Sequence, residues 1–222
     1  MYLCGAIRRR MTPVMNLPFV GSTSAWAVAM KSGAVIFEAC GPYQRRTFRT
    51  RTTILSPAGP LDLSVPVHTG HNLMYKDARV NYETSWERQM LYALRTAYNS
   101  SAFFEYMYDD IAAVIEGKHK FLWDLNMAMF QTIAKVLELR IDIEKTAEFA
   151  KAPEDCADYR IAIEPKYAHV LDDACETVEY SQVFSRPYTD RPFTSGLSMF
   201  DLMFNMGHET RDVLRRMASK ID

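Results

Sequence analysis

Four arginines lie within seven residues of the chain, at Arg45, Arg46, Arg49 and Arg51, inside the segment 42–54. The whole chain carries a formal charge of -1, so positive charge is concentrated here and not spread over the protein. Like charges at this spacing repel one another unless an anion or an acidic partner lies among them. Guanidinium groups hold phosphates and carboxylates bidentately, so the cluster indicates an anion-binding site. A solvated basic edge strand that discourages pairing between sheets is the other interpretation.

The direction of these side chains depends on the local backbone. If residues 47–54 are extended, successive side chains point to opposite faces. Arg45, Arg49 and Arg51 then share one face, whereas Arg46 points to the other. We expect all four arginines to bind one anionic donor.

Two residues near the end of the chain are candidates for chemistry beside the arginines. Asp201 and Asn205 are four residues apart in a predicted helix, so they share a face that is otherwise apolar. Asp201 is a candidate general base, or a carboxylate that orients Arg51. Tyr43, together with Asp201, is expected to line the pocket in which Asn205 and the arginines bind a substrate. The alternative is a solvated Asp201 in a first helical turn with Asn205 as a C-cap.

Other polar residues carry weaker signals. Asp124 and Asn126 have the same two interpretations as Asp201. His68 and His71 lie three residues apart in a polar loop, but no third ligand follows at a fixed spacing, so we predict no metal site. The sequence contains no Gly-x-Ser-x-Gly motif, phosphate-binding loop or dinucleotide fingerprint, and it identifies no cofactor.

Composition limits the class of protein. A chain of 222 residues with 48% hydrophobic residues can bury a sizeable core, and we expect residues 1–222 to form a single domain. The near-neutral charge argues against nucleic acid as a partner. The cysteines are scattered without a C-x-x-C pair, which predicts thiols in a reducing compartment; they are Cys4, Cys40, Cys156 and Cys175.

The sequence also predicts where the protein resides. The first ten residues place apolar positions before three arginines, the reverse of a signal peptide. No apolar run approaches the roughly 20 residues of a transmembrane segment. We therefore expect a cytoplasmic protein, while the sequence does not indicate its oligomeric state.

The fold prediction rests on the first 40 residues. An apolar strand is predicted over residues 12–17, a helix with N-capping hydroxyls over 24–31, and a buried strand over 35–39. Strand, helix and strand in this order form a βαβ unit. The predicted class is α/β, with a mixed, partly parallel sheet that this unit opens and helices cover. Ligands gather at the carboxyl ends of such strands, so the loop that leads into the arginine segment lies where a site is expected.

The remaining elements follow from periodicity and turn residues. Extended segments are predicted over 51–56 and 61–67 as a hairpin, and over 140–143, 159–163 and 180–184. Helices are predicted from residue 84, over 101–117 and over 118–139, with a closing helical hairpin over 197–205 and 208–219.

Several segments together resemble a known family. The arginine segment presents a tyrosine, a basic pair, a hydroxyl residue, an aromatic residue and a further arginine, in the order Tyr43, Arg45, Arg46, Thr47, Phe48, Arg51 and Ile54. Further matching positions are 63–67, Trp86, 97–101 before Phe103 and Phe104, 124–126, and 197–205. In these residues the chain resembles the WbqC-like family over most of its length.

The resemblance implies a role in cell-surface polysaccharide assembly of the O-antigen type. It implies a transferase that moves glycine or another amino acid or acyl group onto a sugar, with an anionic donor or a nucleotide-linked or lipid-linked sugar as its small-molecule partner. A non-catalytic binding or scaffold protein that recognises an anionic sugar intermediate or a partner enzyme is the alternative. The chain departs from the family pattern at Thr50 and Thr52, which flank Arg51, and at Met90, where relatives have a histidine. A methionine cannot replace a histidine as a base.

Overall fold

The computed structural model describes residues 11–68, 70–71, 73–149, 156–186 and 188–221. The predictions for Cys4 and the first ten residues lie outside this part of the chain. The β-strands are β1 (Thr12–Asn16), β2 (Ala34–Glu38), β3 (Arg51–Ser56), β4 (Gly59–Ser64), β5 (Asp142–Lys145) and β6 (Cys156–Asp158). The α-helices are α1 (Thr23–Ser32), α2 (Trp86–Tyr98), α3 (Phe104–Glu116), α4 (Leu122–Val136), α5 (Ala168–Ala174), α6 (Met199–Met206) and α7 (Thr210–Met217).

The predicted βαβ unit is confirmed. β1 and β2 pair in parallel, with Val14 opposite Ile36, and α1 connects them. The Ser22 hydroxyl caps α1 by accepting a hydrogen bond from the Ala25 amide. Gly33 ends the helix in the left-handed conformation, at φ 76°, a conformation that glycine adopts without a steric penalty.

The α/β class is also confirmed, with a parallel sheet of order β5-β2-β1-β6. The chain builds the sheet outward from β1 through β2 to β5 and then returns to the other side of β1 with β6. This reversal of strand order opens a crevice at the carboxyl ends of β1 and β6. At the outer edges lie β6, which has three residues, and β5, which exposes Asp142, Glu144 and Lys145.

The hairpin and the helices match their predictions with small shifts of their ends. β3 and β4 pair as an antiparallel hairpin that is separate from the parallel sheet. Aromatic rings join α1, α4 and the sheet: Trp26 stacks on Phe130 with ring centroids 4.1 Å apart, and Phe37 meets Phe130 edge-on at 5.0 Å. No helix among the described residues is long and apolar enough to cross a membrane.

The two late strand predictions were wrong. Residues 159–163 form turns, and β6 lies immediately before them. The Asp158 carboxylate accepts the Arg160 amide at 3.0 Å, and this local bond turns the chain away from the sheet. Residues 180–184 also lack strand pairing, because the Gln182 side chain takes the place of a partner strand: it donates to the Thr194 carbonyl at 2.9 Å and accepts the Thr194 amide at 3.0 Å.

The backbone of the arginine segment differs from the expected extension. Residues 45–50 form bends and turns, and the strand begins only at Arg51. Local bonds hold this shape: the Thr47 hydroxyl donates to the Gln44 carbonyl at 3.2 Å, and the Thr50 amide donates to the Thr47 carbonyl at 3.1 Å. The period of two therefore does not apply to the arginines before Arg51, and the prediction that three of them share a face was wrong.

Candidate functional site

Three segments converge around the first turn of α1, beyond the carboxyl end of β1. The Ser198 amide donates to the Thr53 carbonyl at 3.0 Å, and the Met199 amide donates to the Gly21 carbonyl at 3.0 Å. Gly21 adopts φ +85°, and a Cβ there would lie 3.1 Å from the Pro18 side chain, so the close approach requires glycine. The loop before α1, the start of β3 and the segment before α6 thus form one rigid junction.

A small recess opens at this junction, with a volume of about 10 Å³. Arg51, Thr52 and Ser198 line it together with Ser22. The half-buried Arg51 guanidinium makes no hydrogen bond or ion pair with any described residue. The hydroxyls of Thr52 and Ser198 are buried and have no hydrogen-bond partner. The recess is therefore lined by a residue with an unpaired guanidinium and by two residues whose buried hydroxyls have no partner, and its space holds about one oxygen atom.

A second recess of about 30 Å³ adjoins the first, and Gly196 lines both. Its wall includes Ser24, Asp172 and Cys175. The Ser24 hydroxyl donates to an Asp172 carboxylate oxygen. Burial raises the pKa of Asp172, although the hydrogen bond from Ser24 acts in the opposite direction. Burial also raises the pKa of the Cys175 thiol, so the group suited to accept a proton in this recess is Asp172.

Of the predicted substrate-binding arginines, Arg49 is the one that the fold buries, at 4% exposure. Its guanidinium donates to the Asn16 side-chain oxygen at 2.5 Å and to the Pro42 carbonyl at 3.1 Å. The same group lies 4.9 Å from the centre of the Tyr75 ring. Its Nε has no hydrogen-bond partner. Arg49 thus fixes the arginine segment to the end of β1.

The other predicted residues of this segment lie closer to solvent. Arg45 and Arg46 are exposed, and Arg46 adopts φ 60°. Burial raises the pKa of the half-buried Tyr43, against a hydrogen bond with Thr50 and the charges of Arg45 and Arg49. Arg45 and Arg49 are therefore near Tyr43, whereas Arg51 lies in the recess beside α1. The structure does not gather all four arginines around one point.

Asp201 and Asn205 occupy the buried side of α6. Asp201 has 0% exposure, so the interpretation as a solvated residue was wrong. Its carboxylate accepts hydrogen bonds from the hydroxyls of Tyr98 and Tyr180, at 2.9 and 2.7 Å, and from the Gln182 amide at 2.9 Å. Asn205 lies inside α6 and is not its cap; its side chain donates to the Asp201 carbonyl at 2.7 Å. No hydrogen bond or salt bridge within the described part of the chain joins Asp201 to Arg51, and a role of Asp201 as a general base stays a prediction.

A buried ion pair at the carboxyl edge of the sheet was missed. Glu38 ends β2 at 1% exposure and accepts hydrogen bonds from Arg160 at 3.0 Å and from the Thr146 hydroxyl at 2.7 Å. It therefore ties the ends of β2, β5 and β6 together. Its signal was present in the sequence, because a glutamate inside an apolar strand needs a buried partner.

The recess residues Ser24, Thr52, Asp172 and Ser198 were missed as well. The sequence indicated Ser24 only as a capping hydroxyl, Thr52 only as a departure from the family pattern beside Arg51, and Ser198 only as part of the matching segment 197–205. Nothing in the sequence distinguishes Asp172. His68 and His71, for which no metal site was predicted, are exposed. The described residues contain no group of three or more His, Cys, Asp or Glu side chains arranged to hold a metal ion.

Comparison with protein families identifies one match. The model of the WbqC-like protein family matches residues 26–169, which is more than half of the 222 residues. The chain therefore belongs to the WbqC-like protein family, as the resemblance in the sequence had indicated. Comparisons with curated proteins and with solved structures find no match.

Proposed function

We propose that this WbqC-like protein is a transferase of cell-surface polysaccharide assembly that binds an anionic donor at the first turn of α1. The observation that carries the proposal is the unpaired Arg51 guanidinium beside two buried, unpartnered hydroxyls. Leaving such groups without partners costs free energy, so a ligand oxygen that accepts from them is strongly favoured. Family context supports the rest: the donor is a nucleotide-linked or lipid-linked sugar or an activated amino acid.

The size of the recess limits how the donor binds. One oxygen of a phosphate or carboxylate fills the space beside Arg51 and Ser198, and the rest of the molecule extends past the exposed Gly196. The N-terminus of α1 adds a positive dipole on the same side. The Ser198 hydroxyl donates to the anion and needs no proton transfer to do so.

Asp172 supplies the proton acceptor in the adjoining recess. In a transfer of glycine, a sugar hydroxyl oxygen forms a bond to the glycyl carbonyl carbon. The bond from that carbon to the leaving group breaks, and the leaving group keeps the electron pair. Asp172 takes the hydroxyl proton, and its raised pKa makes it a stronger base than an exposed aspartate. Tyr43, Arg45, Arg46 and Arg49 remain predicted contacts for a more distant part of the substrate.

The binding step is tested by titrating nucleotide sugars, aminoacyl donors and inorganic phosphate and measuring thermal shift and affinity. We expect Arg51→Ala to weaken the binding of a stabilising anion about tenfold or more, since a hydrogen bond to a charged group contributes about 1.5 to 3 kcal/mol. Ser198→Ala should weaken it less. Arg88→Ala is the matched control, because Arg88 is an exposed arginine on α2. Binding that survives Arg51→Ala but is lost in Arg45→Ala would place the anion at Tyr43 and overturn the assignment.

The catalytic step has a separate test. Mass spectrometry of the same panel with candidate sugar acceptors should detect a transferred group, and Asp172→Asn should abolish the product while leaving donor affinity within about threefold. Anion binding without any product would instead support the alternative, a non-catalytic protein that recognises an anionic sugar intermediate.

A further inference from the structure

A wide groove lies at the opposite end of α1, with a volume of about 980 Å³. It is lined by the last turns of α1 and α4, the loop before β5, and α7. α1 has ten residues, which at about 1.5 Å per residue separates the groove from the Arg51 recess by about 15 Å. The two sites are thus at opposite edges of the parallel sheet.

Five cationic side chains line this groove, against a single carboxylate, Glu138. They are Lys31, Lys135, Arg140, Arg211 and Arg215. Because the chain as a whole carries a net charge of -1, the groove concentrates a positive field that composition alone conceals.

The charges of the groove are only partly neutralised within the protein. Arg215 forms a salt bridge with Asp212 at 2.8 Å. Because both side chains are exposed, this pair contributes little to stability. Lys135, Arg140 and Arg211 make no hydrogen bond, ion pair or ring contact with any residue of the described chain. Three cations around one groove are therefore available to an external anion.

Helix dipoles explain only part of this arrangement. Lys31 and Lys135 lie in the last turns of α1 and α4, where a cation is favourable. Arg211, however, is the second residue of α7, and a cation is unfavourable at that end of a helix. The dipole of α7 therefore does not account for the position of Arg211 beside the groove.

We propose that this groove binds a small molecule carrying a diphosphate group. A ligand that neutralises cations on separate elements must carry more than one negative charge, and guanidinium groups hold phosphate oxygens bidentately. The volume is at the upper end of the range for small-molecule sites and suits a diphosphate ester. Met30 and Leu139 give the groove an apolar wall against which a neutral part of the ligand packs.

Calorimetric titration of the full chain with pyrophosphate and with inorganic phosphate tests this assignment. Using Arg51→Ala as the background keeps the Arg51 recess out of the measurement. We expect pyrophosphate to bind in this background at least tenfold more tightly than phosphate. Adding Arg140→Ala and Arg211→Ala together should weaken pyrophosphate binding about tenfold or more.

Two further variants keep the test independent of stability. Glu138→Gln removes the one carboxylate of the groove and should tighten pyrophosphate binding several-fold. The pair Lys76→Ala and Arg88→Ala removes the same charge from exposed positions elsewhere and should leave the affinity unchanged. Equal affinity for the two anions, or equal losses in the two double variants, would overturn the proposal. Absence of pyrophosphate binding in the Arg51→Ala background would also overturn it. Weaker donor binding in Arg51→Ala, with pyrophosphate binding retained, bears only on the proposed function, so the two sites fail separately.

Discussion

At the level of single residues, one amide joins three parts of the chain. Asn126 has 0% exposure, and its side chain donates to the Arg49 carbonyl at 2.8 Å and to the Tyr75 hydroxyl at 2.7 Å. Tyr75 in turn donates to the Leu17 carbonyl at 2.7 Å. α4 thereby holds the arginine segment and the loop beyond β1 in place.

Replacement of this amide should destabilise the fold. We expect Asn126→Ala to lower the free energy of unfolding by about 2 to 4 kcal/mol, because it leaves a buried carbonyl and a buried hydroxyl without their donor. Denaturation by urea measures the change. Asp124→Ala is the matched control, since Asp124 is exposed two residues earlier in α4, and its change should stay within about 0.5 kcal/mol. Equal changes in the two variants would show that the amide does not organise the site.

At the level of elements, the end of α1 depends on the backbone conformation of Gly33. A Cβ at this position meets no atom within 4 Å, so the cost of adding one is conformational and not steric. Gly33→Ala should therefore destabilise the protein by about 1 to 2 kcal/mol, the cost of a left-handed conformation. Gly41→Ala serves as the control, because Gly41 has no positive φ and a Cβ there makes its nearest contacts at 3.4 Å. Thermal unfolding measures both, and an unchanged midpoint for Gly33→Ala would contradict the capping role.

How far the sequence predicts these elements depends on the range of the interactions that form them. The βαβ unit, the hairpin and the long helices were predictable, because Ser22, Gly33 and the apolar periodicity act within each segment. The strand β6 was not predictable, because its three residues form a strand only by pairing with β1. The arginine segment was misjudged because Thr47 and Thr50 form local turns that compete with extension.

The candidate site was predictable only in part, for the same reason. Arg51 stands out by its charge within an order of residue types that resembles the family. Ser198 and Asp172 lie more than 100 residues after Arg51 in the chain. They can be recognised as site residues only in the folded structure, which places them beside α1. The role of Arg49 in substrate binding stays a prediction, and the sequence does not show that Asn16 would bind its guanidinium.

At the level of the whole molecule, several carboxyl groups make stability depend on pH. Burial is the largest cause of a raised pKa at Asp201, Asp172 and Glu164. A carboxyl whose pKa is raised by folding contributes stability below its unfolded pKa of about 4, and the contribution is lost as pH rises through the folded pKa. Asp158 has the opposite effect on stability. The hydrogen bond from Arg160 lowers its pKa, so its contribution is lost as pH falls through the folded pKa.

The direction of this pH dependence can be measured for Asp201 alone. We expect the unfolding free energy of the native protein, relative to Asp201→Asn, to fall as pH rises from about 4 to about 8. Urea denaturation at several pH values gives the difference directly. In a parallel series, Asp109→Asn should show no such trend, because Asp109 is exposed on α3. A difference between native and Asp201→Asn proteins that stays constant with pH would mean that folding does not raise the pKa of Asp201.

The charged edge strand β5 of the parallel sheet discourages self-association of the protein. A strand at the rim of a sheet offers unpaired amides and carbonyls to any other chain. On β5 an incoming strand would have to strip water from Asp142, Glu144 and Lys145, and β6 is too short to offer more than three residues. Concentrated solutions of the folded protein should therefore resist fibril growth by strand addition at these rims.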